Sequence, residues 1–204
     1  MSIFSSAKLL GSLEHFRVTN LSLHEQQELV QAARQVVQQA PLYRAELRGV
    51  AFRYHQTGAG WGWTSGHGGG YRYQREHPLT GRPLPQIPES LLRLGQQYGL
   101  EADALLINWY TEGSTLGLHQ DRDERDLSAP VVSISLGDAC IFRLGGTSRS
   151  DPVSEHRLES GDVIVLSGPT RLAFHGVAQI LPGTAPNGLL HSPGRLNLTL
   201  RRSQ

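Results

Sequence analysis

The run Ala129-Pro130-Val131-Val132-Ser133-Ile134-Ser135-Leu136-Gly137-Asp138-Ala139-Cys140-Ile141-Phe142-Arg143-Leu144-Gly145-Gly146 decides the architecture. It contains two apolar stretches, 130–136 and 139–144, each closed by a turn dipeptide, Gly137-Asp138 and Gly145-Gly146. Short runs bounded by glycine and aspartate read as strands. The same texture spreads outward to runs at 104–110, 161–166, 171–180 and 195–201, with Ser160-Gly161-Asp162 and Pro182-Gly183 as further turn signals. Several short strands at this spacing predict a sandwich or barrel-like β core from about residue 101 to 204.

The N-terminal part reads differently. Ser22 and Glu25 form a capping box, after which Leu29, Val30, Ala33, Val36 and Val37 recur at helical spacing until Pro41. A second short helix follows Pro88, with Leu91, Leu92 and Leu94 on its buried side. Between the helices, residues 56–88 are rich in Gly, Pro, Trp, Tyr and Arg. This stretch predicts a functional loop or loose hairpins and no core element, since a disordered linker would not carry Trp61, Trp63, Tyr71 and Tyr73. The expectation is one α+β domain over 1–204, its first hundred or so residues wrapped on the β core.

Composition excludes more than it identifies. With 38% hydrophobic and 18% charged residues, the chain resembles an ordinary globular protein. A formal net charge of +1 gives no global basic field, so nucleic-acid binding would need a local patch. Arg72, Arg75 and Arg82, then Arg143 and Arg149, then Arg201 and Arg202 could supply one. The single cysteine, Cys140, lies in an apolar run and reads as a buried thiol; with no disulfide to form, the chain is expected in the reducing cytoplasm. No stretch approaches the roughly 20 apolar residues of a membrane span, so no membrane partner is expected. A monomer is expected.

His119 and Asp121 are one residue apart, and on an extended strand positions i and i+2 share a face. His175, read in the strand Leu172-Ala173-Phe174-His175, supplies a third ligand. Two histidines and one carboxylate with open positions form the facial triad of non-haem iron(II) oxygenases. A zinc hydrolase uses similar ligands, and a short His/Asp pair also arises by chance on a surface, so the rest of the chain has to decide. Arg195-Leu196-Asn197-Leu198-Thr199-Leu200-Arg201 alternates strictly, placing two arginines and an asparagine on one face. Arginine forks suit carboxylates, and this pair could bracket a short diacid beside a metal. Asn108 and Tyr110 share a face of the strand Leu106-Ile107-Asn108-Trp109-Tyr110 and add an amide and a phenol hydroxyl.

Taken in order, Asn108-Trp109-Tyr110, Leu118-His119-Gln120-Asp121, Ala129 to Gly137, Gly161-Asp162-Val163, Phe174-His175-Gly176 and Arg195 to Arg201 resemble the bacterial branch of the AlkB family of oxidative nucleic-acid demethylases. The likeness runs from about Gly62 to Arg201. It implies a double-stranded β-helix (jelly-roll) core, iron(II) held by His119, Asp121 and His175, and 2-oxoglutarate held by Asn108, Tyr110, Arg195, Asn197 and Arg201, with O₂ as cosubstrate. It also implies a substrate lid. Trp63, Thr64, Tyr71 and Tyr73 match base-stacking and backbone-contacting residues, while Asp123, Glu124 and Arg149 match positions lining the base pocket. The glycine-rich stretch before Tyr71 is one residue longer than the family pattern.

The implied activity is repair of 1-methyladenine and 3-methylcytosine in alkylated single-stranded DNA, with duplex DNA and RNA as further substrates and formaldehyde as product. An aromatic plate such as Trp63 suits a flipped base, and Asp123 can accept from an exocyclic amino group. Two other readings remain open. One is the same chemistry on methylated RNA or protein; the other is a non-catalytic nucleic-acid-binding domain, in which the ligands and both arginines would have no purpose.

Overall fold

A computed structural model describes residues 16–47, 49–65 and 71–204. The chain begins with β1 (Phe16–Asn20) and α1 (Leu23–Gln39), followed by a short hairpin of β2 (Glu46–Leu47) and β3 (Val50–Ala51). Next come β4 (His55–Gly60), the hairpin β5 (Gly62–Ser65) and β6 (Tyr71–Gln74), and α2 (Glu89–Gln97). The C-terminal half holds β7 (Ala104–Tyr110), β8 (Leu116–His119), β9 (Val131–Gly137), β10 (Ala139–Leu144), β11 (Ser154–Leu158), β12 (Asp162–Leu166), β13 (His175–Leu181) and β14 (Arg195–Arg201).

The strands form two principal antiparallel sheets. The larger has six strands in the order β1-β12-β9-β14-β7-β4, and the smaller has four in the order β11-β10-β13-β8. Together they make the jelly-roll of a double-stranded β-helix. The six-stranded sheet is covered on both faces. Leu29, Val30, Ala33 and Val36 of α1 and Leu91 and Leu94 of α2 pack with Leu105, Ile107, Ile134, Leu198 and Leu200 on its outer face. Tyr110, Val131, Ile164 and Leu166 on its inner face pack with Cys140, Phe142, Val177 and Ile180 of the smaller sheet. All seven residues of β14 and all five of β12 are therefore buried, which a strand with a solvent face could not be.

Helix α1 starts where its capping box predicts. The Glu25 amide donates to the Ser22 hydroxyl at 3.3 Å, and the Glu25 carboxylate accepts from the Ser22 amide at 2.8 Å. In α2, Leu91 and Leu94 are buried and Leu92 only partly so.

Three expectations need correction. Residues 56–88 do contain a core element: β4 pairs with β7 from His55↔Trp109 to Gly60↔Ala104, burying Gln56, Thr57, Gly58 and Ala59. Two glycines, Gly58 and Gly60, hid this strand, yet glycine is what the position requires, because a Cβ on Gly58 would come within 2.6 Å of the Leu105 carbonyl. Second, β13 begins at His175; residues 171–174 form the turn leading into it. Third, β8 ends at His119, so Asp121 lies just past the strand and its direction is set by an ion pair instead of by strand alternation.

Candidate metal centre and substrate cavity

The two sheets enclose a cavity of about 310 Å³ whose wall includes His119, Asp121 and His175. Register brings the histidines together, because His175 is the cross-strand partner of His119 in the β8–β13 ladder and their rings lie 4.4 Å apart. Next to this pair the ladder shifts register, and Gly176 passes so close to β8 that a Cβ there would lie 2.5 Å from the Leu116 carbonyl. One potential ligand atom from each of the three residues lies within 4.8 Å of the others.

The ring orientations suit a metal. His119 Nδ1 lies 3.0 Å from the Gly117 carbonyl and His175 Nδ1 lies 3.0 Å from the Ala173 carbonyl. A carbonyl only accepts, so each Nδ1 donates, and in the neutral imidazole the lone pair then sits on Nε2. Both Nε2 atoms face Asp121, at 3.8 Å from its two oxygens. Burial, joined by the neighbouring His119, pushes the His175 pKa down to about 4, so at neutral pH its imidazole is uncharged and able to ligate.

Asp121 is the anionic member. Burial alone would favour its neutral form, but Arg201, His175 and His119 outweigh that and hold its carboxyl well below the usual range. Arg201 Nη2 donates to both Asp121 oxygens at 2.9 Å and its Nε donates at 3.2 Å. Arg201 also lines the cavity; its Nε and Nη2 are engaged with Asp121, and Glu124 Oε1 lies 3.3 Å from Nε.

Arg195 contrasts with it. This guanidinium is 2% exposed, and its Nη2 donates to Ser135 Oγ at 2.9 Å, while its Nε and Nη1 are buried with no hydrogen-bond partner among the described residues. Asn108 Oδ1, also on the cavity wall, is likewise unpaired. Orphaned buried donors of this kind are rare and costly, and they fit a site shaped for an anionic ligand. The β7–β14 register sets the wall, with Tyr110 opposite Arg195 and Asn108 opposite Asn197. Asn197 is anchored through Nδ2 to Ser133 Oγ at 2.9 Å and to the Ile134 carbonyl at 3.1 Å. Burial raises the Tyr110 pKa despite Arg195, so its phenol stays protonated. The polar face of β14 lines the cavity while Leu196, Leu198 and Leu200 face the helices.

At the mouth, Trp63 and Asp123 both line the cavity, and Trp63 Nε1 donates to Asp123 Oδ2 at 3.0 Å. Thr64 is buried beside them, near the Tyr43 hydroxyl. Tyr73, the cross-strand partner of Trp63, donates its hydroxyl to Glu124 Oε1 at 2.5 Å. The backbone of Tyr71 belongs to β6, but its side chain lies outside the described residues.

Two expected pocket residues stand elsewhere. Glu124 does not line the cavity, because Arg171, Arg201 and Tyr73 enclose it. Arg149 lies on an exposed turn with its guanidinium 5.0 Å from the Phe174 ring centre. Sequence reasoning missed Arg171, Ser133, Ser135 and the aromatic wall of Phe52 and Tyr54; the apolar Phe52/Tyr54 alternation could have shown the last.

A jelly-roll carrying two histidines and a carboxylate beside an unpaired guanidinium defines a metal- and 2-oxoacid-dependent oxygenase. In keeping with that class, the model of the 2OG-Fe(II) oxygenase superfamily matches residues 16–201. The AlkB homolog of Caulobacter vibrioides (strain NA1000 / CB15N), an alpha-ketoglutarate-dependent dioxygenase, is 48% identical over 190 residues, covering 90% of this chain and 84% of that protein. AlkB of Escherichia coli (strain K12) is 44% identical over 149 residues, covering 70% of this chain and 67% of that protein. The solved structure of OsALKBH1 superposes with a TM-score of 0.80 at 32% identity, over 92% of this chain and 97% of that one. The chain belongs to the AlkB family and is an Fe(II)- and 2-oxoglutarate-dependent dioxygenase.

Among the described residues, no helix is long and apolar enough to cross a membrane.

Proposed function

We propose that this dioxygenase demethylates 1-methyladenine and 3-methylcytosine, acting on single-stranded DNA in preference to intact duplex, as a monomer. The observation that carries the reading is the Trp63–Asp123 pair at the mouth of the cavity that holds His119, Asp121 and His175. Methylation at these ring positions leaves the base cationic and unable to pair. Extrusion then costs less, and both an indole face and a carboxylate favour the cation.

His119 Nε2, His175 Nε2 and the Asp121 carboxylate would hold iron(II), while Arg195, Asn108 and Tyr110 would hold 2-oxoglutarate. Bound iron, with 2-oxoglutarate and O₂ as cosubstrates, supplies the oxidation of the N-methyl carbon, with succinate and CO₂ as coproducts. The hydroxymethylated base is a hemiaminal, which breaks its C–N bond to release formaldehyde. Trp63 stacks the base, Asp123 accepts from its exocyclic amino group, and the apolar wall of Phe142, Leu158, Ile164 and Leu166 keeps bulk water from the cavity. Arg75, whose guanidinium lies 4.6 Å from the Trp61 ring centre, and Arg149 stand ready for phosphates.

The test uses methylated single-stranded DNA, duplex DNA and RNA oligonucleotides with iron(II), ascorbate and 2-oxoglutarate, read by mass spectrometry. Single strands should be repaired faster than duplexes. Trp63→Ala should lose roughly 5- to 150-fold in kcat/KM, the equivalent of about 1–3 kcal/mol of base stacking. Succinate formed readily on another methylated substrate, with neither lesion repaired, would overturn the nucleobase reading.

A further inference from the structure

We propose that Arg171 is a positioning residue that couples the Trp63/Tyr73 hairpin to the metal ligand Asp121. It lies four residues before His175, immediately after the 3₁₀ turn Gly168–Thr170, and is 3% exposed. Its three guanidinium nitrogens reach three separate acceptors. Nε donates to the Ala129 carbonyl at 2.7 Å, Nη1 to the Asp121 carbonyl at 2.6 Å, and Nη2 to Glu124 Oε2 at 3.2 Å.

Glu124 is the junction. Its Oε2 faces Arg171, while its Oε1 accepts the Tyr73 hydroxyl and pairs with Arg201, and Arg201 in turn grips the Asp121 carboxylate. The circuit therefore closes: Asp121 is held at its side chain by Arg201 and at its backbone by Arg171, and both arginines share Glu124. Tyr73 connects the hairpin to this circuit through Glu124, while its cross-strand partner Trp63 donates to Asp123. Two adjacent residues of the loop after Asp121 are thus clamped by one cross-strand pair.

A purely structural fastener explains this arrangement less well. Burying ionised groups is expensive, and well-packed apolar residues hold a loop as firmly. What a guanidinium adds is a planar fork that fixes three directions at once, which a lysine ammonium on its flexible stem does not reproduce. That geometry sets the angle of Asp121 towards His119 and His175 and makes it responsive to where Tyr73 sits. The metal half of the proposal rests on the dioxygenase assignment alone; the hairpin's role in holding substrate rests on the reading above.

The experiment measures Mn(II) affinity by electron paramagnetic resonance with 2-oxoglutarate present and no nucleic acid, so a wrong substrate cannot affect it. Arg171→Lys keeps the charge and loses the fork. It should weaken Mn(II) binding about tenfold or more, as loss of a ligand's supporting partner does. Tyr73→Phe removes one hydroxyl outside the metal's reach and should weaken it about 2- to 30-fold. In the double variant the Tyr73→Phe effect should shrink, because of the two routes from Glu124 to Asp121 the one through Arg171 is gone and only the one through Arg201 is left. Mn(II) affinity within twofold of wild type in Arg171→Lys, or factors that simply multiply in the double variant, would overturn the proposal, even with a lowered Tm. Should Arg171→Lys not fold, Glu124→Gln takes its place in the same cycle with the same two criteria.

Discussion

Replacing Arg195 with methionine should cripple 2-oxoglutarate binding while leaving the metal centre intact. Among the described residues this guanidinium makes a single hydrogen bond, to Ser135 Oγ, and presents two buried donors, Nε and Nη1, that have no acceptor. A carboxylate arriving there would make two charge-assisted bonds, each worth about 1.5–3 kcal/mol. Methionine also relieves the unpaired donors of the free protein, so part of that gain belongs to the desolvation already suffered. A net loss of about 2–4 kcal/mol is expected, or about 30- to 1000-fold in affinity. Titration calorimetry of 2-oxoglutarate into the anaerobic Mn(II)-loaded protein measures it, with Mn(II) titrated alone as the control. The Tm of the free variant should not fall, since the charge it loses has no ionic partner. A 2-oxoglutarate affinity within threefold of wild type, or an equal loss of Mn(II) affinity, would refute the reasoning: in the first case the anion binds elsewhere, and in the second Arg195 holds up the scaffold.

His175→Ala should abolish turnover and metal-dependent binding of 2-oxoglutarate, since it removes one of three ligands; full activity in the metal-replete variant would sink the triad. Gly176→Ala should weaken metal binding and lower Tm by several degrees, because the new Cβ would meet the Leu116 and Gly117 backbone and an overpacked site costs about 1–3 kcal/mol. Metal titration and calorimetric melting check it, and a variant indistinguishable from wild type would show that β8 and β13 can part without disturbing His119 and His175.

The parts legible in the sequence follow period-2 patterns. β14 stood out because Leu196, Leu198 and Leu200 alternate with Arg195, Asn197, Thr199 and Arg201, and the same alternation set Asn108 and Tyr110 on one face of β7. β4 was not legible because His55-Gln56-Thr57-Gly58-Ala59-Gly60 carries no apolar stripe: its backbone, and not its side chains, is what the sheet uses. The ion-pair circuit was hidden for another reason. Asp121-Arg122-Asp123-Glu124-Arg125-Asp126 reads as a solvated charge run, yet Asp121 and Glu124 are buried while Arg122, Asp123 and Arg125 are exposed. Only the distant Arg171 and Arg201 separate the buried charges from the exposed ones, and nothing in local sequence announces a partner 47 or 80 positions away.

The charge inventory of the buried site bears on how its two small ligands arrive. Asp121 and Glu124 are matched by Arg201 and Arg171 in contacts of 2.6–3.3 Å, so this group is balanced within itself. Arg195 stands outside it, with no carboxylate partner among the described residues. A divalent cation alone would add two positive charges to a cavity that already holds an unmatched guanidinium, and a dianion alone would leave the cavity negative. Arriving together, a dication and 2-oxoglutarate cancel, and the net charge of the buried site is unchanged. In a low-dielectric enclosure that difference is large, because each uncompensated charge interacts far more strongly there than in water. The unpaired Arg195 is therefore best understood as half of an interaction whose other half is brought by the ligand. Arg201 does the complementary task of keeping Asp121 ionised and aimed before the metal comes. At the two ends of β14, Arg195 presents buried donors with no hydrogen-bond partner among the described residues and Arg201 holds Asp121, both on the face that lines the cavity.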